Sequence, residues 1–192
     1  MTTPANPAET TTPDSLATWL AQEAEVRAVQ LAGAGCGVAH PDQVRDRTGL
    51  DMMQAMLRGE IPFAPIARTL DFMLIEVGPG CATFQGTPHT DHYNPLGTVH
   101  GGWFATLLDS ALGCAVHTTM PVGRAYTTAE LHLNLVRAIT TKVPRVRAIG
   151  RVIHAGRQLA TAEARLVGPD GTLYAHASTT CLVFALREAA PA

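Results

Sequence analysis

The residues best suited to chemistry lie in one segment, Asn94 to Asp109, which reads NPLGTVHGGWFATLLD. Asp109 is the only charged residue in the otherwise apolar stretch from Gly101 to Val116. A carboxylate in such surroundings is costly unless it is hydrogen-bonded, paired or kept neutral. Asp109 is therefore either a structural hydrogen-bonding group or a poised base or nucleophile, and this feature alone does not decide between them.

Two glycines at the start of this stretch provide a second chemical feature. Gly101 and Gly102 begin a predicted helix, where backbone N–H groups are free and no Cβ obstructs an approaching ligand. Together with the positive end of the helix dipole, such donors suit a carbonyl oxygen that becomes negative in a transition state. The structural alternative is that the Gly-Gly pair only permits a tight turn against a sheet.

The separation between these two features predicts an assembly. The eight residues from Gly101 to Asp109 span about 12 Å of helix, at about 1.5 Å per residue. A base or nucleophile must lie within about 3 Å of the reacting atom, or one water molecule away. Asp109 therefore cannot act on a carbonyl held by the glycines of its own helix. If both features are catalytic, each site needs two chains, and the protein is at least a dimer.

The segments around this helix predict the fold class. Residues 72–77 and 81–86 have the pattern of two strands, and four further strands linked mainly by hairpins follow Gly123. The helix at 101–117 is apolar on nearly every face, which is typical of a buried helix. One buried helix and a long antiparallel sheet favour one packing. The sequence thus predicts an α+β fold, a curved antiparallel sheet wrapped around a central helix.

The N-terminal third predicts an appendage to this fold. Residues 1–13 are expected to be a disordered tail, residues 14–62 a helical extension, and residues 65–186 the main domain. The extension has too many apolar positions for a solvated segment, so its helices should pack on the sheet or across a dimer, covering one end of a pocket. These positions are Leu16, Trp19, Leu20, Met52, Met53, Met56 and Leu57.

Composition and spacing exclude several classes of function. The formal net charge of −2 gives no basic field for nucleic acid or an acidic membrane surface. The four cysteines form no C-x-x-C pair, and the histidines lack zinc-site spacing, so we expect no metal and no other cofactor. The longest apolar stretch is too short to span a bilayer, and the first residues lack the pattern of a signal peptide. We therefore expect a cytoplasmic protein.

The pattern Asn94-x-x-Gly97-x-x-His100-Gly-Gly, followed by Leu107-x-Asp109, resembles the signature of PaaI-type acyl-CoA thioesterases of the hotdog-fold superfamily. The resemblance extends from about residue 65 to about residue 185. It implies a hotdog fold and hydrolysis of an acyl-CoA thioester to a free acid and CoA. It also implies a homo-oligomer, as a dimer or a dimer of dimers, with Asp109 as base or nucleophile.

The same resemblance implies roles for other residues. The Gly101 N–H becomes an oxyanion donor beside Gly102, and Asn94 helps to position the water or the thioester. A hydroxyl on the next strand assists the carboxylate, and Thr128 fits that role better than Thr127. His100 either polarises the thioester carbonyl or orients the turn. Guanidinium groups can donate two parallel hydrogen bonds to one phosphate. The side chains expected to bind the CoA phosphates are therefore Arg137, Arg151 and Arg157.

Two other functions fit the same fold. Hotdog hydratases and dehydratases usually pair a catalytic histidine with an Asp or Glu at a different position relative to the helix. That function is disfavoured because the histidine here directly precedes the two glycines. A non-catalytic acyl-CoA-binding protein is disfavoured because Asp109, Asn94 and Gly101 are present together. An assay for released CoA thiol separates all three.

Overall fold

The computed structural model describes residues 16–186, so the expected tail at 1–13 and the residues that precede Leu16 lie outside the described range. Five α-helices and six strands occupy it, with a short 3-10 turn at Thr90–His92. The helices are α1 (Leu16–Ala32), α2 (Pro41–Val44), α3 (Gly49–Leu57), α4 (Pro65–Thr69) and α5 (Gly101–His117). The strands are β1 (Phe72–Gly78), β2 (Cys81–Gly86), β3 (Arg124–Leu135), β4 (Val146–Ala155), β5 (Leu159–Val167) and β6 (Leu173–Ala185).

All six strands form one antiparallel sheet in the order β1-β2-β4-β5-β6-β3. The sheet wraps around α5, which contacts every strand. At Gly150 of β4 this approach is so close that a Cβ would lie 2.2 Å from the carbonyl oxygen of Ala111. Only glycine allows the strand and the helix to meet there. The predicted α+β architecture is confirmed, whereas the division of the chain between residues 62 and 65 stays a prediction.

The core lies between α5 and the concave face of the sheet. Phe104, Leu107, Leu108 and Leu112 of α5 are all 2% exposed or less. Burial of such side chains stabilises the fold by about 1.5–3 kcal/mol each. The sheet side chains that face them are small on the central strands, which lets the sheet close around the helix: Ala148, Ala160, Ala162, Ala164 and Ala177. The helix is therefore buried on most of its surface, as its sequence predicts.

Helix α1 packs on the opposite face of the sheet through a polar network. Glu23 accepts hydrogen bonds from Gln85 Nε2 at 2.8 Å and from Arg145 Nε at 2.6 Å. Arg147 Nε donates to Gln85 Oε1 at 2.9 Å, and the Arg147 guanidinium lies 4.3 Å from the centre of the Trp19 ring. The extension thus packs on the sheet, as expected from its apolar residues, but the contact is largely polar.

The buried face of α1 differs from the one that its apolar residues suggest. Leu20 is 39% exposed, whereas Glu23 and Gln30 are buried. The physical reason is the strand surface beneath the helix, where Gln85 and Arg147 are buried polar residues that need hydrogen-bonding partners. Apolar periodicity cannot reveal such a face, because the partners lie more than sixty residues away in the chain.

Candidate active site

His100 caps the N-terminus of α5. Its backbone is extended (φ −64°, ψ 139°), and its Nδ1 accepts a hydrogen bond from the Gly102 N–H at 2.9 Å. This geometry corresponds to the second of the two roles expected for His100, orientation of the turn. The same hydrogen bond uses the Gly102 N–H, which is then not free to bind a ligand. The Gly101 N–H, by contrast, has no acceptor within residues 16–186, so it is the glycine donor available to a ligand.

Asp109 lies more than two turns further along α5 and faces β3. Thr128 Oγ1 donates a hydrogen bond to Asp109 Oδ1 at 3.1 Å. The structure therefore brings together the carboxylate and the hydroxyl that the family resemblance pairs. Thr127 is exposed and lies on the other face of β3, because successive strand residues point to opposite faces. Thr127 does not border the cavity described next, so the structure favours Thr128 for the supporting hydroxyl.

A cavity of about 230 Å³, here called the Asp109 cavity, lies beside this carboxylate. Asp109, Gly113 and Cys114 of α5 form one side, and Tyr126 and Thr128 of β3 form another. A Cβ at Gly113 would lie 2.7 Å from the Tyr126 hydroxyl oxygen, so a larger residue there would displace that side chain. The position of Tyr126 therefore depends on the absence of a side chain at residue 113.

Burial keeps the other acidic groups of the Asp109 cavity neutral. It raises the pKa of the Cys114 thiol to about 12, with a further contribution from the negative charge of Asp109. Burial also raises the pKa of the Tyr126 hydroxyl well above its ordinary value. A neutral thiol is a poor nucleophile. Cys114 is therefore a lining group at neutral pH, and the Asp109 carboxylate is the better candidate for base or nucleophile.

The N-terminal extension and α4 form a third side of the Asp109 cavity, and β1 and β2 complete the lining. Met56 of α3, Phe63 from the connection to α4, and Ile66 and Ala67 of α4 all border it. The expectation that the extension covers one end of a pocket thus agrees with the structure. Met56 is among the apolar positions that the sequence singled out, whereas Phe63, Ile66 and Ala67 are not. Signals did exist for two of the other lining residues: Gly113 is one helical turn after Asp109, and Tyr126 shares a strand face with Thr128.

Asn94 shapes the loop before α5. Its Oδ1 accepts hydrogen bonds from the N–H groups of Leu96 (2.9 Å) and Thr98 (3.3 Å), and its Nδ2 donates to Thr98 Oγ1 at 3.0 Å. It does not border the Asp109 cavity of its own chain. A direct contact of Asn94 with water or thioester therefore stays a prediction.

The three arginines expected to bind the CoA phosphates are exposed and dispersed: Arg137, Arg151 and Arg157. Arg137 follows β3, and its backbone N–H donates to the carbonyl oxygen of Tyr174 at one end of β6. Arg157 lies in the turn between β4 and β5, where the following residue accepts from Val183 near the other end of β6. Nine residues of strand separate these points, or about 30 Å. Arg137 and Arg157 of one chain therefore do not form a single phosphate site.

Strand β3 lies at an edge of the sheet beside α5. It is twelve residues long and pairs with β6 alone among the described strands. Thr128 in its first half contacts Asp109, whereas a Cβ on Gly101 would lie 3.1 Å from Leu135 at its end. The Gly101 donor and the Asp109 carboxylate are thus at opposite ends of one helix–strand pair, as the helix rise requires.

Two further observations concern ions and membranes. Within residues 16–186, no three His, Cys, Asp or Glu side chains come together as possible ligands of a metal ion. The helices in this part of the chain are also too short or too polar to cross a lipid bilayer.

Comparison with known proteins identifies the fold family. Residues 96–175 match the model of the thioesterase superfamily. A putative thioesterase of Ralstonia eutropha, a phenylacetic acid degradation-related protein, is 29% identical, with a TM-score of 0.62 over 68% of this chain and 98% of that one. A variant of the phenylacetic acid degradation protein PaaI from Thermus thermophilus is 27% identical, with a TM-score of 0.55 over 62% and 97%.

A thioesterase of Haemophilus influenzae is 18% identical, with a TM-score of 0.60 over 64% of this chain and 85% of that one, and shows the fold alone. No curated protein matches the chain. The family match contains α5 and the strands β3, β4 and β5, including Gly101, Asp109 and Thr128. Residues 96–175 therefore resemble the thioesterase superfamily, and the chain as a whole has the hotdog fold seen in PaaI-type proteins.

Proposed function

We propose that this protein hydrolyses an acyl-CoA thioester to a free acid and CoA. The observation that carries the proposal is the Asp109 carboxylate, held by Thr128 Oγ1 at the wall of a largely apolar cavity. Such a cavity accepts an apolar acyl group and excludes water from it. The acyl group would then bring its carbonyl carbon to the carboxylate.

Asp109 acts in one of two ways in this proposal. As a general base, it takes a proton from a water molecule that attacks the thioester carbonyl carbon. As a nucleophile, it attacks that carbon itself, and water then hydrolyses the resulting anhydride. In both cases the C–S bond breaks, CoA leaves as a thiolate that takes up a proton, and the acid remains.

The oxyanion donor in this proposal is the Gly101 N–H of a second copy of the chain. The edge of β3 presents backbone N–H and C=O groups that no described strand pairs, which is a template for another strand. Antiparallel pairing of β3 with its copy places the Leu135 end of one strand toward the Thr128 end of the other. Since Gly101 lies beside Leu135, this pairing brings the glycine of one chain toward the carboxylate of the other.

The Asp109 cavity also limits the size of the acyl group. Its volume of about 230 Å³ lies below the roughly 300–1,000 Å³ of pockets that take drug-sized ligands. Its walls include Met56, Phe63, Phe72, Phe84 and Tyr126, which are apolar or aromatic. The proposed substrates are therefore thioesters of compact apolar acids, such as hexanoyl-CoA or benzoyl-CoA, in preference to long-chain ones.

The test is release of free CoA thiol from acetyl-, hexanoyl-, benzoyl- and decanoyl-CoA. We expect turnover to be highest with hexanoyl- or benzoyl-CoA. Asp109→Asn should lower kcat by about a thousandfold or more, because it removes the base or nucleophile. Asp91→Asn makes the same chemical change at an exposed site outside the cavity and should leave kcat unchanged. Thiol release by Asp109→Asn at the rate of the unaltered protein would refute the proposal.

A further inference from the structure

A second cavity, of about 350 Å³, lies on the other side of α4. Arg27, Gln30 and Leu31 of α1 border it, together with Arg68 of α4. It shares part of its lining with the Asp109 cavity, so that the two cavities lie on either side of one wall. The residues common to both are Phe63, Ala67, Phe72 and Met73.

The second cavity contains a buried amide that lacks a hydrogen-bond acceptor. Gln30 is 3% exposed, and its Nε2 donates to no group in the part of the chain that the structure describes. Buried amide donors are nearly always paired, because an unpaired one loses its interactions with water without compensation. The Nε2 atom has no solvent contact in this structure, so the missing partner would be an acceptor oxygen of a bound molecule that it meets once the Gln30 side chain turns into the second cavity.

The lining of the same cavity contains two arginines and one carboxylate, Arg27, Arg68 and Asp71. Arg27 is paired, with Glu23 at 2.9 Å and with Asp71 at 3.3 Å, and Asp71 contacts His89 at 2.7 Å as well. The Arg68 guanidinium, by contrast, has no side-chain partner within residues 16–186. Because the Asp71 carboxylate already pairs with Arg27 and His89, the positive charge of Arg68 is available to an anion.

We propose that the second cavity binds the carboxylate of a small apolar acid. The carboxylate accepts from Arg68 and from Gln30 Nε2, and the apolar part of the acid packs against Phe63 and Phe72. Charge-assisted hydrogen bonds from guanidinium to carboxylate are among the strongest in proteins. The proposal concerns a site that the Asp109 chemistry does not use.

Occupation of this site has a consequence for the Asp109 cavity. A ligand in the second cavity restricts the movement of Phe63 and Ala67, which also border the Asp109 cavity. We expect it to narrow the range of acyl groups that the Asp109 cavity accepts. This coupling rests on the proposed thioesterase function, whereas binding of the acid does not.

Calorimetric titration of the full chain with hexanoate tests the site. Arg68→Gln and Gln30→Met should each weaken hexanoate binding by about tenfold, since each removes one donor. Arg165→Gln removes an exposed arginine on β5, outside both cavities, and should leave binding unchanged. Hexanamide keeps the acceptor oxygen without the charge, and it should bind less tightly than hexanoate to the unaltered protein.

A further variant separates the two cavities. Met56→Trp places a larger side chain in the Asp109 cavity and should weaken hexanoate binding no more than severalfold, through the shared wall alone, because Met56 does not border the second cavity. If Met56→Trp abolishes binding and Arg68→Gln does not, hexanoate occupies the Asp109 cavity and the proposal is overturned. Absence of hexanoate binding to the unaltered protein overturns it as well.

The coupling has its own measurement, the ratio of kcat/KM for decanoyl-CoA to that for hexanoyl-CoA. Simple competition by hexanoate at the Asp109 cavity lowers both values equally and leaves the ratio unchanged. We expect hexanoate to lower the ratio severalfold in the unaltered protein and not in Arg68→Gln. An unchanged ratio despite measured binding refutes the coupling alone, whereas absence of any hydrolysis refutes only the proposed function.

Discussion

The hydrogen bond from Thr128 Oγ1 to Asp109 Oδ1 makes the proposed mechanism quantitatively testable. Thr128→Val preserves the shape of the side chain and removes only the donor. A hydrogen bond to a charged group contributes about 1.5–3 kcal/mol, and about 1.4 kcal/mol corresponds to tenfold in rate. The observed 3.1 Å is slightly longer than the usual range for hydroxyl donors, which favours the lower figure. We therefore expect kcat to fall by about tenfold.

Steady-state kinetics with hexanoyl-CoA measures this effect. Thr128→Ser is the matched control, because it keeps the hydroxyl and should stay within about threefold of the unaltered kcat. KM should change little in both variants if Thr128 positions the carboxylate and does not bind the substrate. Equal kcat values for the Val and Ser variants, at equal melting temperatures, would show that the hydroxyl does not support the catalytic carboxylate.

Two further predictions concern assembly and acid stability. Mixing inactive Asp109→Ala chains with inactive Gly101→Val chains should restore part of the activity, because one of the two sites in a heterodimer is then intact; no recovery despite proven subunit exchange contradicts a shared site. Burial raises the pKa of Glu23, but hydrogen bonds from Arg145 and Arg27 outweigh it and hold the pKa below its usual 4.5. The folded state therefore binds fewer protons than the unfolded state, and this stability is lost as the pH falls from about 4.5 through the lowered pKa. The melting temperature should therefore fall less on acidification in Glu23→Gln than in the unaltered protein. The same dependence of melting temperature on pH in both proteins would refute this prediction.

The sequence by itself determined the fold class and the position of the central helix. An apolar helix with a single carboxylate, followed by alternating strands joined by hairpin turns, has few ways to bury its surface other than inside a curved sheet. The spacing of Gly101 and Asp109 along that helix also determined that they cannot serve one carbonyl in the same chain. These are local properties, because periodicity and helical rise depend only on nearby residues.

The contact between Asp109 and Thr128 was predicted from the family resemblance and not from spacing. The structure supports that pairing and separates Thr128 from its neighbour Thr127 by strand direction. Orientation of the turn was one of two roles expected for His100, and only the structure shows that its Nδ1 accepts from the Gly102 N–H and that the Asn94 side chain bonds within its own loop. Each of these roles depends on the path of the backbone through a turn.

Only the tertiary structure decided which residues enclose the Asp109 cavity and which face of α1 is buried. Met56 and Phe63 reach the cavity because the extension folds back on β1 and α5, a contact that no local pattern encodes. Glu23 is buried because two residues distant in the chain provide its hydrogen bonds: Gln85 in β2 and Arg145 just before β4. A buried polar side chain is tolerated only where its partners converge, and that convergence is a property of the folded chain.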